Sequence, residues 1–180
     1  MSQNGTKKPR HGKFLGKYRA TVLDNVDPLF IGRLLVVVSD VSSIAPSSWA
    51  MPCVPIAGIQ TGFYALPLIG SGVWVEFEQG DPDFPIWVGC YWGSAAETPT
   101  QALLVPPEIP GVTVQTPLQN SIQVSDMPPT PLTGGVVLRG GAGVATLAVN
   151  ETGIYLTFGA ASIALTAAGV IINEGALVVI

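Results

Sequence analysis

The sequence predicts an all-β chain: a five-stranded closed barrel of the OB type, followed by a β-helical column of short strands that needs further copies of the chain. Three observations carry this. The 180 residues include 21 glycines and 16 prolines, both of which break helix interiors. Hydrophobic residues make up 48% and charged residues only 11%, with a mean hydropathy of +0.47, so the chain has enough apolar surface to pack a core. Apolar and polar residues also alternate with period two over long stretches, the mark of strands with one dry face.

Charge is scarce and uneven. Residues 1–15 read as a flexible basic tail, and six of the eight basic residues (Lys7, Lys8, Arg10, Lys13, Lys17, Arg19) precede position 20. From Leu34 onward one arginine stands against ten carboxylates. Such a body cannot displace the counterions of a nucleic-acid backbone, so no nucleic-acid partner is expected. No apolar run follows the basic residues closely enough to form a secretory signal. His11 has no companion at ligand or triad spacing, and neither metal nor cofactor is expected.

Residues 16–93 carry the barrel, with strands at about 17–24, 31–38, 51–58, 71–78 and 84–92. Five strands fit a small barrel better than a sandwich, which needs about seven. The run Leu34 to Val38 is apolar at every position and reads as a strand covered on both faces. Val73, Val75 and Phe77 alternate with Trp74, Glu76 and Glu78, which leaves one face partly wet. Cys53 and Cys90 sit in apolar segments and read as buried reduced thiols. Glu76, Glu78, Asp81 and Asp83 surround a turn and lack calcium-loop spacing. Trp49, Trp74, Trp87 and Trp92 have no adjacent cations in sequence and read as core or interface rather than as a stacking platform. An OB-type module binding oligosaccharide or single-stranded nucleic acid is the alternative function.

Residues 94–131 form a proline-rich connector, since proline cannot donate to a central ladder. Residues 132–180 form the needle, and apolar pairs lead into it from upstream: Val112/Val114, Ile122/Val124, Val136/Leu138, Leu147/Val149, Ile154/Leu156, Ile163/Leu165, Val170/Ile172 and Leu177/Val179. Thr113, Gln123, Arg139, Thr146, Thr157 and Thr166 fall on the opposite parity and read as the outer face. The strings 148–157 and 164–173 repeat at an offset of 16, with Gly153 and Gly169 at matching turns. A ribbon this narrow has nothing in its own chain to cover its dry side. Three copies would close that side around an axis, with Ile154, Leu156, Ile163, Leu165, Val170 and Ile172 as the expected core.

Residues 152–173 hold no charge and are long enough for a membrane helix. Their threonines and glycines, and the alternation continuing on both sides, favour strands. No GxSxG, HExxH or phosphate loop is present, and enzymatic activity is not expected. The glycines at 140, 141 and 143 read as a tight bend.

The strings WAMPCVPIAG (49–58) and GFYALPLIGSGVWVEFEQGDPDFPIWVGCYWG (62–93) resemble the OB-fold domain of phage baseplate assembly protein V and of the valine-glycine repeat protein G family. The order Trp49-Ala50, Ala57-Gly58, Leu66-Pro67, Val75 to Glu78, Gly80 to Pro85 and Val88-Gly89 carries the resemblance. The C-terminal strings look like the same family's triple-stranded β-helix. The resemblance implies a non-enzymatic homotrimeric spike on a contractile tail, secretion machine or extracellular injection particle, assembled in the cytoplasm. It also implies a separate baseplate hub protein and transient contact with the target membrane. The sequence shows no hub domain, no lysozyme insertion and none of the paired histidines that hold iron in some spikes. Its apolar end, with Leu177, Val179 and Ile180, is expected to meet a PAAR-type tip protein.

Overall fold

The computed structural model describes residues 12–179 and divides the chain into two units, Met1–Ala95 and Ala96–Ile180. His11 and the other residues before Gly12 lie outside the described residues, as does Ile180.

In the first unit β1 (Tyr18–Asp24) pairs with β2 (Leu35–Val37); β3 (Met51–Pro52) follows, then a short ribbon of β4 (Ala57–Gly58) and β5 (Thr61–Gly62), then β6 (Gly72–Phe77) and β7 (Pro85–Tyr91). The sheet order is β2-β1-β6-β7-β3, all antiparallel except β3 on β7. Two backbone hydrogen bonds between Leu34 and Ala50, 3.1 and 2.8 Å, join the outer strands and close the ring. This is the OB-type barrel that the sequence predicts.

Its core follows from alternation: Ala20 and Val22, then Leu34, Val36 and Val38, then Val73, Val75 and Phe77 point inward, with Trp87 across from them. Leu35 and Val37 are half-buried, so the apolar run of β2 is covered fully on one face only. The segment expected as one strand over 51–58 stops pairing with β7 after Cys53, ahead of Pro55, and is followed by the separate β4–β5 ribbon. Both thiols are free, as expected, but exposed rather than buried, because Cys53 lies just past β3 and Cys90 near the end of β7 beyond its bulge, where an apolar sequence context no longer means burial.

The second unit is one meander: β8 (Gly111–Gln115), β9 (Ser121–Thr130), β10 (Thr133–Gly140), β11 (Ala145–Asn150), β12 (Gly153–Phe158), β13 (Ala161–Thr166), β14 (Gly169–Ile172) and β15 (Leu177–Val179). Each strand pairs antiparallel with the next in an eight-stranded sheet. β8 and β9 thus fall within the stretch read as connector. Pro128 and Pro129 are compatible with β9 because the β9–β10 register breaks there, between Thr130 opposite Thr133 and Ser125 opposite Gly135. The run 152–173 is strand throughout β12 to β14, and among the described residues no helix is long and apolar enough to cross a membrane. The bend at 141–144 uses left-handed backbone at Gly141 and Gly143. At the repeat turn, a methyl on Gly153 would run into the Leu165 carbonyl, which explains that glycine.

Candidate functional site

Register turns the apolar pairs into two unbroken columns. Val112, Val124, Val136, Val149, Ile154, Leu165, Val170 and Val179 stand directly opposite one another from β8 to β15. Val114, Ile122, Leu138, Leu147, Leu156, Ile163, Ile172 and Leu177 form the second column in the same way. Directly opposed side chains on one face are the stabilising unit of a sheet, and here the unit repeats without a polar interruption. Twelve of these residues remain between 39% and 66% exposed, including Ile154, Leu156, Ile163 and Leu165, while Val170 and Ile172 are half-buried. The six residues expected as the trimer core therefore share one face. Leu177, expected to meet a tip protein, is 54% exposed on the last strand; Val179 is placed by backbone pairing with Val170, and Ile180 lies outside the described residues.

The opposite face behaves differently from the expectation of a solvent-facing polar surface. Ser121, Gln123, Ser125 and Thr146 are buried, with Val137 and Ala148 among them. Gln123 Nε2 donates to the Gln101 carbonyl at 2.8 Å, and the Arg139 guanidinium donates to Gln123 Oε1 at 3.1 Å and to the Leu132 carbonyl at 2.8 Å. Asn150 Nδ2 donates to the carbonyls of Thr130, at 2.7 Å, and Thr133, at 3.1 Å. The chain thus folds its own polar segments over the polar face and leaves the apolar columns uncovered. Thr166 is also tied into the chain: its Oγ1 accepts from the Ala168 amide at 3.2 Å and donates to the Gly169 carbonyl at 3.4 Å, which holds the β13–β14 turn.

In the barrel the most constrained polar group is Asp27, which the sequence reading did not single out. It is 3% exposed. Its carboxylate accepts from Arg33 Nε at 2.9 Å and Nη2 at 2.6 Å, and from the amides of Leu29, Ile31 and Arg33. The Arg33 guanidinium, helped by these amides against the cost of burial, holds the Asp27 carboxyl well below the usual carboxylate range. Arg33 also lies over the Trp49 ring at 5.6 Å, and Arg19 over Trp74 at 5.5 Å and Tyr91 at 5.3 Å. Cations distant in sequence are therefore beside two of the tryptophans. Trp87 is buried and donates Nε1–H to the Gly32 carbonyl at 3.0 Å, whereas Trp92 is 63% exposed. A groove of about 470 Å³ lies between the β4–β5 ribbon and the wall formed by Met51, Pro52 and Trp87. At the acidic turn Asp81 Oδ1 accepts from the Asp83 amide and Glu76 pairs with Lys17 at 2.6 Å; among the described residues no cluster of side chains suits a metal ion.

A closed OB-type barrel followed by a meander with an uncovered apolar face defines a spike-type architecture. The comparisons agree: residues 18–92 match the Type VI secretion system/phage-baseplate injector OB domain, and residues 111–178 match the phage baseplate V C-terminal trimerisation domain. The chain belongs to this family of baseplate spike proteins, which are structural parts of a phage tail or secretion machine. No curated protein matches it.

Proposed function

We propose that three copies pack their apolar columns around one axis to make a stiff needle. The needle transmits the thrust of a contracting tail or secretion tube into a target envelope. The barrels join a hub protein, and the end of the needle, with Leu177, Val179 and Ile180, takes a PAAR-type tip. Contact with the target membrane is transient. The work comes from the contracting machine, so the chain needs stiffness and a narrow section rather than catalytic groups. A sheet supplies stiffness through continuous backbone hydrogen bonding, and apolar burial between copies holds the three ribbons together. The observation that carries this reading is the pair of columns running without a polar interruption across all eight strands, with twelve of their sixteen members exposed. In assembled particles Val170→Asp is expected to abolish delivery into target cells while the sheath still contracts. Delivery at the unmodified level would refute the role of the needle.

A further inference from the structure

Phe158 ends β12 on the same face as Ile154 and Leu156, and it is the one aromatic residue there among the described residues. It is 68% exposed, more than any column member whose side chain is described. Its register partners are unusually small. Ala145 stands opposite it on β11 and Ala161 on β13, and Gly140 faces Ala145 one strand further. A third column thus runs beside the other two, made of glycine and alanine with a single phenyl ring standing out of it. Next to the ring the surface sinks into a hollow of about 400 Å³, walled by Leu156, Phe158, Ala161, Ile163 and Ile172. That volume is ample for one aromatic side chain.

A projection and a recess side by side on one surface cannot satisfy each other within the chain, because the ring forms a wall of the hollow rather than filling it. They can do so between copies. In a threefold assembly every contact is heterologous, so a residue of one copy meets a different surface of the next, and rotation by a third of a turn closes the ring. The aliphatic columns repeat from strand to strand, so the neighbouring ribbon could slide along them with little penalty. A single large knob in a single recess removes that freedom. We propose that Phe158 of one copy inserts into the hollow between Leu156, Ala161, Ile163 and Ile172 of the next, and that this contact fixes the axial register of the three ribbons. The occupant is a second copy of this chain because all of these residues lie within the segment that matches the trimerisation domain, residues 111–178. The inference rests on the homotrimer proposed above. Large aromatic anchors in well-packed recesses dominate interface energetics, whereas the surrounding aliphatic contacts mainly exclude water.

Disulfide trapping in the full chain tests this, with Cys53 and Cys90 first replaced by serine. Phe158→Cys is combined with Ile172→Cys. Within one chain these positions are two strands and two residues apart, about 12 Å, which is beyond the span of a disulfide. Oxidation is expected to give covalent dimers and trimers on a non-reducing gel, from a sample whose native mass is that of a trimer. A trimer without cross-links overturns the placement of Phe158 and leaves the homotrimer standing. A monomeric mass for the unmodified chain overturns both. As a second measurement, Phe158→Ala should speed subunit exchange between differently labelled trimers by about tenfold or more, whereas Val144→Ala, in the exposed bend, should not. Equal exchange by Phe158→Ala and the unmodified chain would also overturn the proposal.

Discussion

The barrel and the meander use the same residues in the same alternation and reach opposite results. Val36, Val73 and Val75 of the barrel are fully buried within one chain, while Val112, Val124 and Val136 of the meander are 66%, 47% and 42% exposed. The difference lies in closure. Five strands that curl until Leu34 meets Ala50 give their inner face a partner surface across the ring. Eight strands laid side by side in chain order present one extended face that no described strand of the same unit crosses. Under the proposed assembly the barrel's stability is a property of one chain, whereas the stability of the meander depends on the number of copies present.

Predictions that would break or sharpen this contrast can be ranked by size. Val170→Asp sets one carboxylate from each copy on the dry face, where an unpaired charge costs far more than the assembly can offset. It should give monomers by light scattering with the barrel still folded. Leu34→Ala empties a fully buried site and should lower barrel stability by about 2–5 kcal/mol, equally at high and low protein concentration. Leu156→Ala should instead shift the melting temperature by an amount that grows on dilution. If both respond alike to dilution, the contrast fails.

Acid gives a smaller and more specific effect. Because the Asp27 carboxyl is held below its ordinary value, its contribution is fully present above the usual carboxylate range and is lost progressively as pH falls through that range towards the lowered folded-state value. Asp27→Asn should thus destabilise the barrel at neutral pH and flatten the low-pH end of its stability curve, as read by denaturant titration at several pH values. The smallest change is expected from Ala167→Asp. Ala167 is exposed in the turn between β13 and β14, and the substitution should leave the trimer mass unaltered and move stability by no more than about 0.5 kcal/mol.

The strands of the meander were legible because alternation is a local property: each of the eight apolar pairs falls on its own strand, and the glycine-containing bend between β10 and β11 lies where the sequence places it. What covers each face was not legible. The burial of Gln123 depends on Gln101, which comes from a segment that the prolines made look like a plain strap, and Arg139 is held by Gln123 and by the Leu132 carbonyl in the β9–β10 turn. Phe158 escaped notice because it stands one step beyond the repeating pair, and its meaning lies in the smallness of Ala145 and Ala161 across the register. The Asp27–Arg33 knot was equally hidden, since six residues of ordinary loop sequence do not announce that one carboxylate will collect three amides and a guanidinium. Exposure of Cys53 and Cys90 reflects strand ends and a bulge, which apolar composition does not reveal.

Native mass spectrometry of the intact chain in dilute buffer tests the central claim most directly. A species of three times the 18.7 kDa chain mass is expected, persisting to low concentration. A well-folded single copy under the same conditions would contradict it, because the two apolar columns would then be stable in water without a partner.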